Sequence, residues 1–309
     1  MKKALSLILV LALTLGMCMS LASCKKNESY TVGVCQLMAH PSLDQATQGF
    51  KDALEAKMKE AGKEVTIDIQ VAGDANNCPT VIGTFTARNV DLIMANATPA
   101  LLAAANATGT IPILGTSVTD YPSTFGGTVP SNVSGMSDAV PFDEQAQMMI
   151  DTLGLTADSK VGVIYCTDES NSKIQYDAVA AYFTSKNIEV EAYTFSETTE
   201  LQSVTSFAVS ECDAIYVPSD NTVANNDAAV GDICTQANKP LYTSYGGSYC
   251  YASLAIDYYQ LGYQTGLMAA EILLEGKNPS DLTIDTIAPA TQYNNELCEA
   301  LGITVPAGN

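Results

Sequence analysis

The 309 residues carry 34 acidic against 14 basic side chains, a formal net charge of −20. A polyanion would be repelled along the whole surface, which excludes nucleic acid as a partner. The charge says little about a small ligand, because a few oriented N–H groups can hold a carboxylate inside a negative protein. A single histidine and the lack of any CxxC or Cys/His cluster leave no metal-ligand spacing, and no cofactor is expected.

Lys2 and Lys3 precede an apolar run from Ala4 to Leu15, and small or apolar residues lead into Leu21-Ala22-Ser23-Cys24. The run falls short of the roughly 20 apolar residues that span a bilayer, so residues 1–23 read as a signal peptide. Leu-Ala-Ser-Cys resembles the bacterial lipobox. That resemblance implies that Cys24 becomes the first mature residue, carries diacylglycerol and anchors the protein on the extracytoplasmic face of the cell membrane, with residues 24–29 as a polar tether. Ordinary secretory cleavage, with Cys24 an incidental thiol, is the alternative. About 285 residues remain, which suits two cores of ~100–200 residues each. Beyond Cys24 the mature chain holds Cys35, Cys78, Cys166, Cys212, Cys234, Cys250 and Cys298. An odd number cannot pair completely; buried free thiols are expected, with one disulfide left open.

Apolar runs of strand length then alternate with longer helical segments, the pattern of a parallel α/β sheet. Tyr30 to Cys35 reads as a strand. A helix from Ser42 to Ala61 follows, with Ala46, Phe50, Leu54, Met58 and Ala61 at three- and four-residue spacing and Gly62 as its stop. Val65 to Val71 alternates as a half-covered strand. After a helix over residues 79–87 come the strand Val90 to Ala95, a helix from Pro99 and the strand Ile111 to Gly115. The order then recurs: strand Lys160 to Cys166, helix Ser172 to Lys186, strand Ile188 to Phe195, helix Glu200 to Ser210, strand Asp213 to Pro218, helix Thr222 to Ala237, strand Pro240 to Ser244.

The two halves can be laid on each other. Val32-Gly33-Val34 matches Val161-Gly162-Val163, Asp91-Leu92-Ile93 matches Asp213-Ala214-Ile215, and Pro112-Ile113-Leu114 matches Pro240-Leu241-Tyr242. This is a repeat of domain length rather than a short solenoid period. Two doubly wound parallel-sheet lobes would face each other across a cleft lined by the carboxyl ends of their strands, where hinge closure can bury a ligand. A helix from Tyr259 to Glu275 and a strand from Leu282 to Ile287 complete the chain. Crossings near Pro141, Asp257 and Asp285 assign residues 30–140 and 257–283 to the first lobe, and 141–256 and 284–309 to the second.

Four stretches carry a specific resemblance: HPSLDQATQGFKDAL from His40, DLIMANATPA from Asp91, AIYVPSDNTV from Ala214 and AIDYYQLGYQTG from Ala255. They are similar to the ABC-transporter substrate-binding lipoproteins whose members take up tryptophan, tyrosine and related amino acids. The resemblance implies a type I periplasmic binding fold with a three-strand hinge and a monomeric receptor. It also implies delivery of a small molecule to an ABC permease and its ATPase.

A zwitterion needs donors for its carboxylate and an anion for its ammonium. Thr98, before Pro99, is expected as a helix N-cap that either holds the carboxylate or only caps. The repeat sets Asp220 where Thr98 stands, so Asp220, with Asn221, is expected to take the ammonium or to cap its own helix. Asp257, at a crossing, is the rival for the ammonium. The loops after each first strand open on the cleft, with Gln36 and His40 in one lobe and Asn171 and Ser172 in the other. Ser117, Tyr245 and Gly246 end the fourth strands as further candidates, and a tyrosine there can stack on a ring. Gly246-Gly247 has no strand-GxGxxG-helix context and no phosphate role.

An enzyme lacks its parts: the sequence has one histidine, no GxSxG, no HExxH and no P-loop. A sensor or adhesin with the same fold is an alternative that sequence does not separate from import. A sugar or nucleoside ligand is another, weakened for sugars by the absence of tryptophan.

Overall fold

The computed structural model describes residues 29–306. The signal peptide, Cys24 and most of the tether lie outside the described residues. The first lobe begins with β1 (Ser29–Gln36), α1 (Pro41–Glu60), β2 (Glu64–Val71), α2 (Cys78–Ala87), β3 (Leu92–Asn96), α3 (Thr98–Ala107), β4 (Ile113–Val118), the single turn α4 (Tyr121–Thr124) and β5 (Val133–Ser137). The second holds α5 (Phe142–Leu153), β6 (Lys160–Cys166), α6 (Ser170–Ser185), β7 (Glu189–Phe195), α7 (Leu201–Glu211), β8 (Ala214–Val217), α8 (Asn221–Ala224), α9 (Asp227–Gln236), β9 (Leu241–Thr243) and β10 (Ala252–Ala255). The chain ends with α10 (Tyr258–Glu275), β11 (Asp285–Thr286), β12 (Ala290–Tyr293) and α11 (Asn295–Leu301).

One six-stranded sheet has the order β11-β5-β4-β3-β1-β2, the other β12-β10-β9-β8-β6-β7. The second order is the first with each strand replaced by its counterpart. All pairings are parallel except β10 with β12. Helices cover both faces of each sheet, the arrangement of a type I periplasmic binding protein.

The matched sequence positions make matched bonds. Asp91 accepts the Thr31 N–H at 2.7 Å and Asp213 accepts the Lys160 N–H at 2.9 Å, each tying the start of its lobe's first strand. The carbonyls of Pro112 and Pro240 accept from Ile93 and Ile215, both at 2.9 Å. The repeated Asp and Pro therefore fix strand register in both copies.

Helix α1 buries Phe50, Leu54 and Met58 against Val32, Val34 and α10, and each such side chain contributes roughly 1.5–3 kcal/mol. Gly62 ends it in the left-handed region at φ 66°, where Lys63 N–H reaches back to the Met58 carbonyl. Three crossings join the lobes: residues 138–141, 256–257 and 287–289. Met136, Val140, Ile256, Tyr258 and Leu261 pack with Ile287 into a small apolar cluster that braces them.

Some elements differ from the sequence-based expectation. The strand expected over Leu282–Ile287 shortens to two residues that pair with β5, so the third crossing comes after β11 rather than before it. The helix expected from Thr222 to Ala237 breaks at Asn225-Asn226 into α8 and α9. The seven cysteines from Cys35 to Cys298 are all free and buried.

Candidate functional site

The lobes touch across the cleft. His40 Nε2 meets Asn221 Oδ1 at 3.3 Å, and Gln175 of α6 donates to Thr119 of the first lobe at 3.4 Å. Between them lies a small space lined from both lobes. His40, Ser42, Leu43 and Ser117 line it from the first lobe, Asn171, Ser219, Asp220, Asn221, Ala224 and Tyr245 from the second, and Asp138 and Tyr258 from the crossings.

His40 is the residue before α1 and makes no side-chain cap bond, and Pro41 opens the helix with no N–H to offer. The Asp44 N–H is accepted by the His40 carbonyl. The N–H groups of Ser42 and Leu43 thus remain free at the positive end of a 20-residue helix. Burial holds His40 below the usual histidine range, opposed by its bond to Asn221. That shift favours the neutral ring. Because Asn221 Nδ2 donates to Glu169 at 2.6 Å, its Oδ1 accepts, so His40 Nε2 carries the proton and Nδ1 is a bare acceptor.

Three buried polar atoms on the cavity wall have no partner: His40 Nδ1, Ser117 Oγ and Asn171 Oδ1. Such groups each cost about 1–3 kcal/mol when left unsatisfied. Ser117 is held there by a left-handed backbone at φ 55°, beside the register shift between β4 and β5. That conformation stores about 1–3 kcal/mol, the kind of strain that gathers at ligand clamps. Asn171 Nδ2 donates to the Ser219 carbonyl at 2.7 Å, which fixes the amide and aims its oxygen.

Asp220 lines the cavity, but both its oxygens are occupied by backbone, Cys166 N–H at 2.7 Å and Val223 N–H at 2.9 Å. Burial first, and the nearby Glu169 second, push its carboxyl up to about 8. Glu169 caps α8 in turn, accepting from the backbone and side chains of Asn221 and Thr222. Asp138 differs. Its two oxygens accept the hydroxyls of Thr119 at 2.9 Å and Tyr258 at 3.2 Å, and burial raises its carboxyl against these bonds and a local backbone one.

The remaining predicted residues fall elsewhere. Thr98 is buried but does not line the cavity, and it is not the cap: Ala97, at φ 89°, precedes the helix and Thr98 is its first residue. Asp220 consequently corresponds to Ala97 rather than to Thr98. Gln36 is consumed in holding its loop to α1 through Met38, Asp44 and Thr47. Ser172 is buried and off the wall. Gly246 and Asp257 line an outer vestibule that shares His40, Ser42, Ala224, Tyr245 and Tyr258 with the cavity. There Asp257 is exposed and caps α10 through Gln260 N–H. Ser42, Leu43, Asp138, Ser219 and Ala224 were not anticipated. Pro41 was the available signal for the first two, since proline favours the first helical position.

Two lobes facing each other across a cleft that both of them line is the architecture of a solute-binding protein. The chain belongs to the ABC transporter substrate binding protein family, whose model matches residues 31–307. It is 37% identical to the tyrosine-binding protein of Clostridioides difficile strain R20291 over 96% of this chain and 90% of that protein. A Streptococcus pneumonia ABC domain in complex with L-Trp is 30% identical and superposes with a TM-score of 0.83 over 91% of this chain and 97% of its own. The ligand-free, open structure of a Clostridium difficile substrate-binding protein with adhesive properties is 34% identical, with a TM-score of 0.68 over 90% and 97%. Identity and superposition run in opposite directions.

Proposed function

We propose that the chain is the extracytoplasmic, lipid-anchored capture component of an ABC importer, and that its cargo is an amino acid with an aromatic side chain. The lobes enclose the zwitterion, deliver it to a membrane permease and reopen. The observation that carries this reading is the interlobe cleft whose walls, drawn from both lobes, hold unpartnered buried polar atoms of His40, Ser117 and Asn171 beside the free N–H groups of Ser42 and Leu43. A ligand carboxylate suits the helix terminus, and Tyr245 and Tyr258 offer faces for a ring. The tyrosine-binding and L-Trp-bound relatives support the aromatic choice, and Leu21-Ala22-Ser23-Cys24 supports the anchor.

Thermal melting tests the cargo. After unfolding and refolding to strip bound ligand, tryptophan, tyrosine or phenylalanine at 100 times its Kd stabilises by ~2.7 kcal/mol. A melting temperature that none of the three moves would refute the aromatic reading.

A further inference from the structure

We infer that Asp138 receives the ammonium group of the ligand and is the residue by which this cleft selects amino acids over their deaminated counterparts. The inference rests on the reading of the cargo as an amino acid and names the group that recognises it.

Two carboxylates line the cavity, and they are held differently. Each Asp220 oxygen already takes a backbone N–H, from Cys166 and Val223. Asp138 takes one neutral hydroxyl on each oxygen. Either carboxylate, when ionised, keeps lone pairs beyond these bonds; what separates them is that Asp220 is pinned by backbone as the cap of α8, whereas Asp138 is held by two side-chain hydroxyls at a crossing. No lysine or arginine lines the space around it. A carboxylate only 6% exposed and without a cation is costly, and an ammonium supplies both the charge and the missing donors.

A second acceptor completes the receptor. Asn171 Oδ1, on the opposite wall, is buried and unpartnered, and its amide cannot flip without losing the bond from Nδ2 to the Ser219 carbonyl. An ammonium between Asp138 and Asn171 joins the first crossing to the second lobe. Tyr258, bonded to Asp138, stands at the second crossing. The ammonium thus ties together the parts that must come together when the lobes close, whereas a deaminated ligand leaves Asp138 charged and unpaired.

Isothermal calorimetry on the full chain tests this with L-tryptophan and indole-3-propionate, which differ only by the ammonium. Wild type is expected to bind L-tryptophan about 100-fold more tightly, from the usual worth of a buried charge pair. Asp138→Asn should lose about 30-fold or more for L-tryptophan while holding indole-3-propionate within about threefold. Its melting temperature without ligand should equal or exceed that of wild type, and Asp138→Ser should repeat the selective loss. A brace of the hinge alone predicts the reverse, a lower melting temperature and equal losses for both ligands, and that result overturns the assignment. Unchanged discrimination in both variants removes Asp138 and leaves the amino-acid reading standing. Wild type that binds no amino acid takes down both.

Discussion

Helices α1 and α10 run side by side in backbone contact, and replacing one glycine between them tests how the cleft is built. A Cβ at Gly262 would sit 1.8 Å from the Ala46 carbonyl oxygen, and one at Gly49 would sit 2.0 Å from that of Tyr259. Gly266 is nearly as tight against Phe50. With ordinary contact beginning at 3.4 Å, Gly262→Ala must part the helices by roughly 1.5 Å, because the obstacle is backbone rather than a side chain that can turn away. Overpacking of this kind costs about 1–3 kcal/mol and more where backbone is displaced. The helix propensity gained by alanine returns about 1 kcal/mol. With backbone in the way the upper end of the overpacking range applies, and the net loss is about 1–2 kcal/mol, a fall in Tm of roughly 2–8 °C. Gly83→Ala in α2 is the control: nothing lies within 4 Å of its Cβ, so only the propensity gain remains and Tm rises by about 2–4 °C. The same glycines set the distance between the start of α1, with Ser42 and Leu43, and Tyr258 at the start of α10. Gly262→Ala should therefore also weaken ligand binding at temperatures where it is fully folded. Scanning calorimetry of both variants decides the matter. If Gly262→Ala melts at or above wild type, the close approach does not hold the two helix termini at the cavity.

Asp220 and the anchor give two further tests. The Asp220 carboxyl is raised to about 8 in the folded chain, so the folded state holds a proton that the unfolded chain releases near pH 4, and stability falls as pH climbs from about 4 through 8. Asp220→Asn should flatten that fall in melting temperatures taken at pH 5, 7 and 8.5, and an unchanged slope would show that Asp220 is not its source. Cys24→Ala should move the protein from the membrane to the soluble fraction in cell fractionation; continued membrane attachment would dismiss the lipid anchor.

The periodic parts of the fold were legible because each long helix and strand buries a stripe that its own sequence writes out. Phe50, Leu54 and Met58 announce α1, and the alternation from Val65 to Val71 announces β2. Elements whose existence depends on pairing with a neighbouring strand were not legible. Val133–Ser137 contains glycine and two serines, and Ala290–Tyr293 is largely exposed; both become strands only because a neighbouring edge accepts them. The site divides the same way. His40, Ser117, Asn171, Asp220, Asn221 and Tyr245 stand at or just beyond the carboxyl ends of parallel strands, a place topology assigns to ligands, and all line the cavity. Asp138 and Tyr258 sit at crossings, where the docking of two lobes decides what is buried.

The duplication itself shows why the acidic residue at one crossing and not the other matters. Asp138 follows β5, and Asp257 follows β10, the counterpart of β5 in the second sheet. Each copy thus supplies a carboxylate on leaving its fifth strand. Asp257 turns outward, exposed, and spends an oxygen on the Gln260 N–H as an ordinary helix cap. Asp138 has no following helix to cap, since α5 begins four residues later after Pro141, and it turns inward to two hydroxyls and the cavity. A structural requirement common to both crossings would have kept the two alike. Their divergence places the inward carboxylate where a repeat-based reading, which weighed Asp257 and Asp220 for the ammonium, had no pattern to follow.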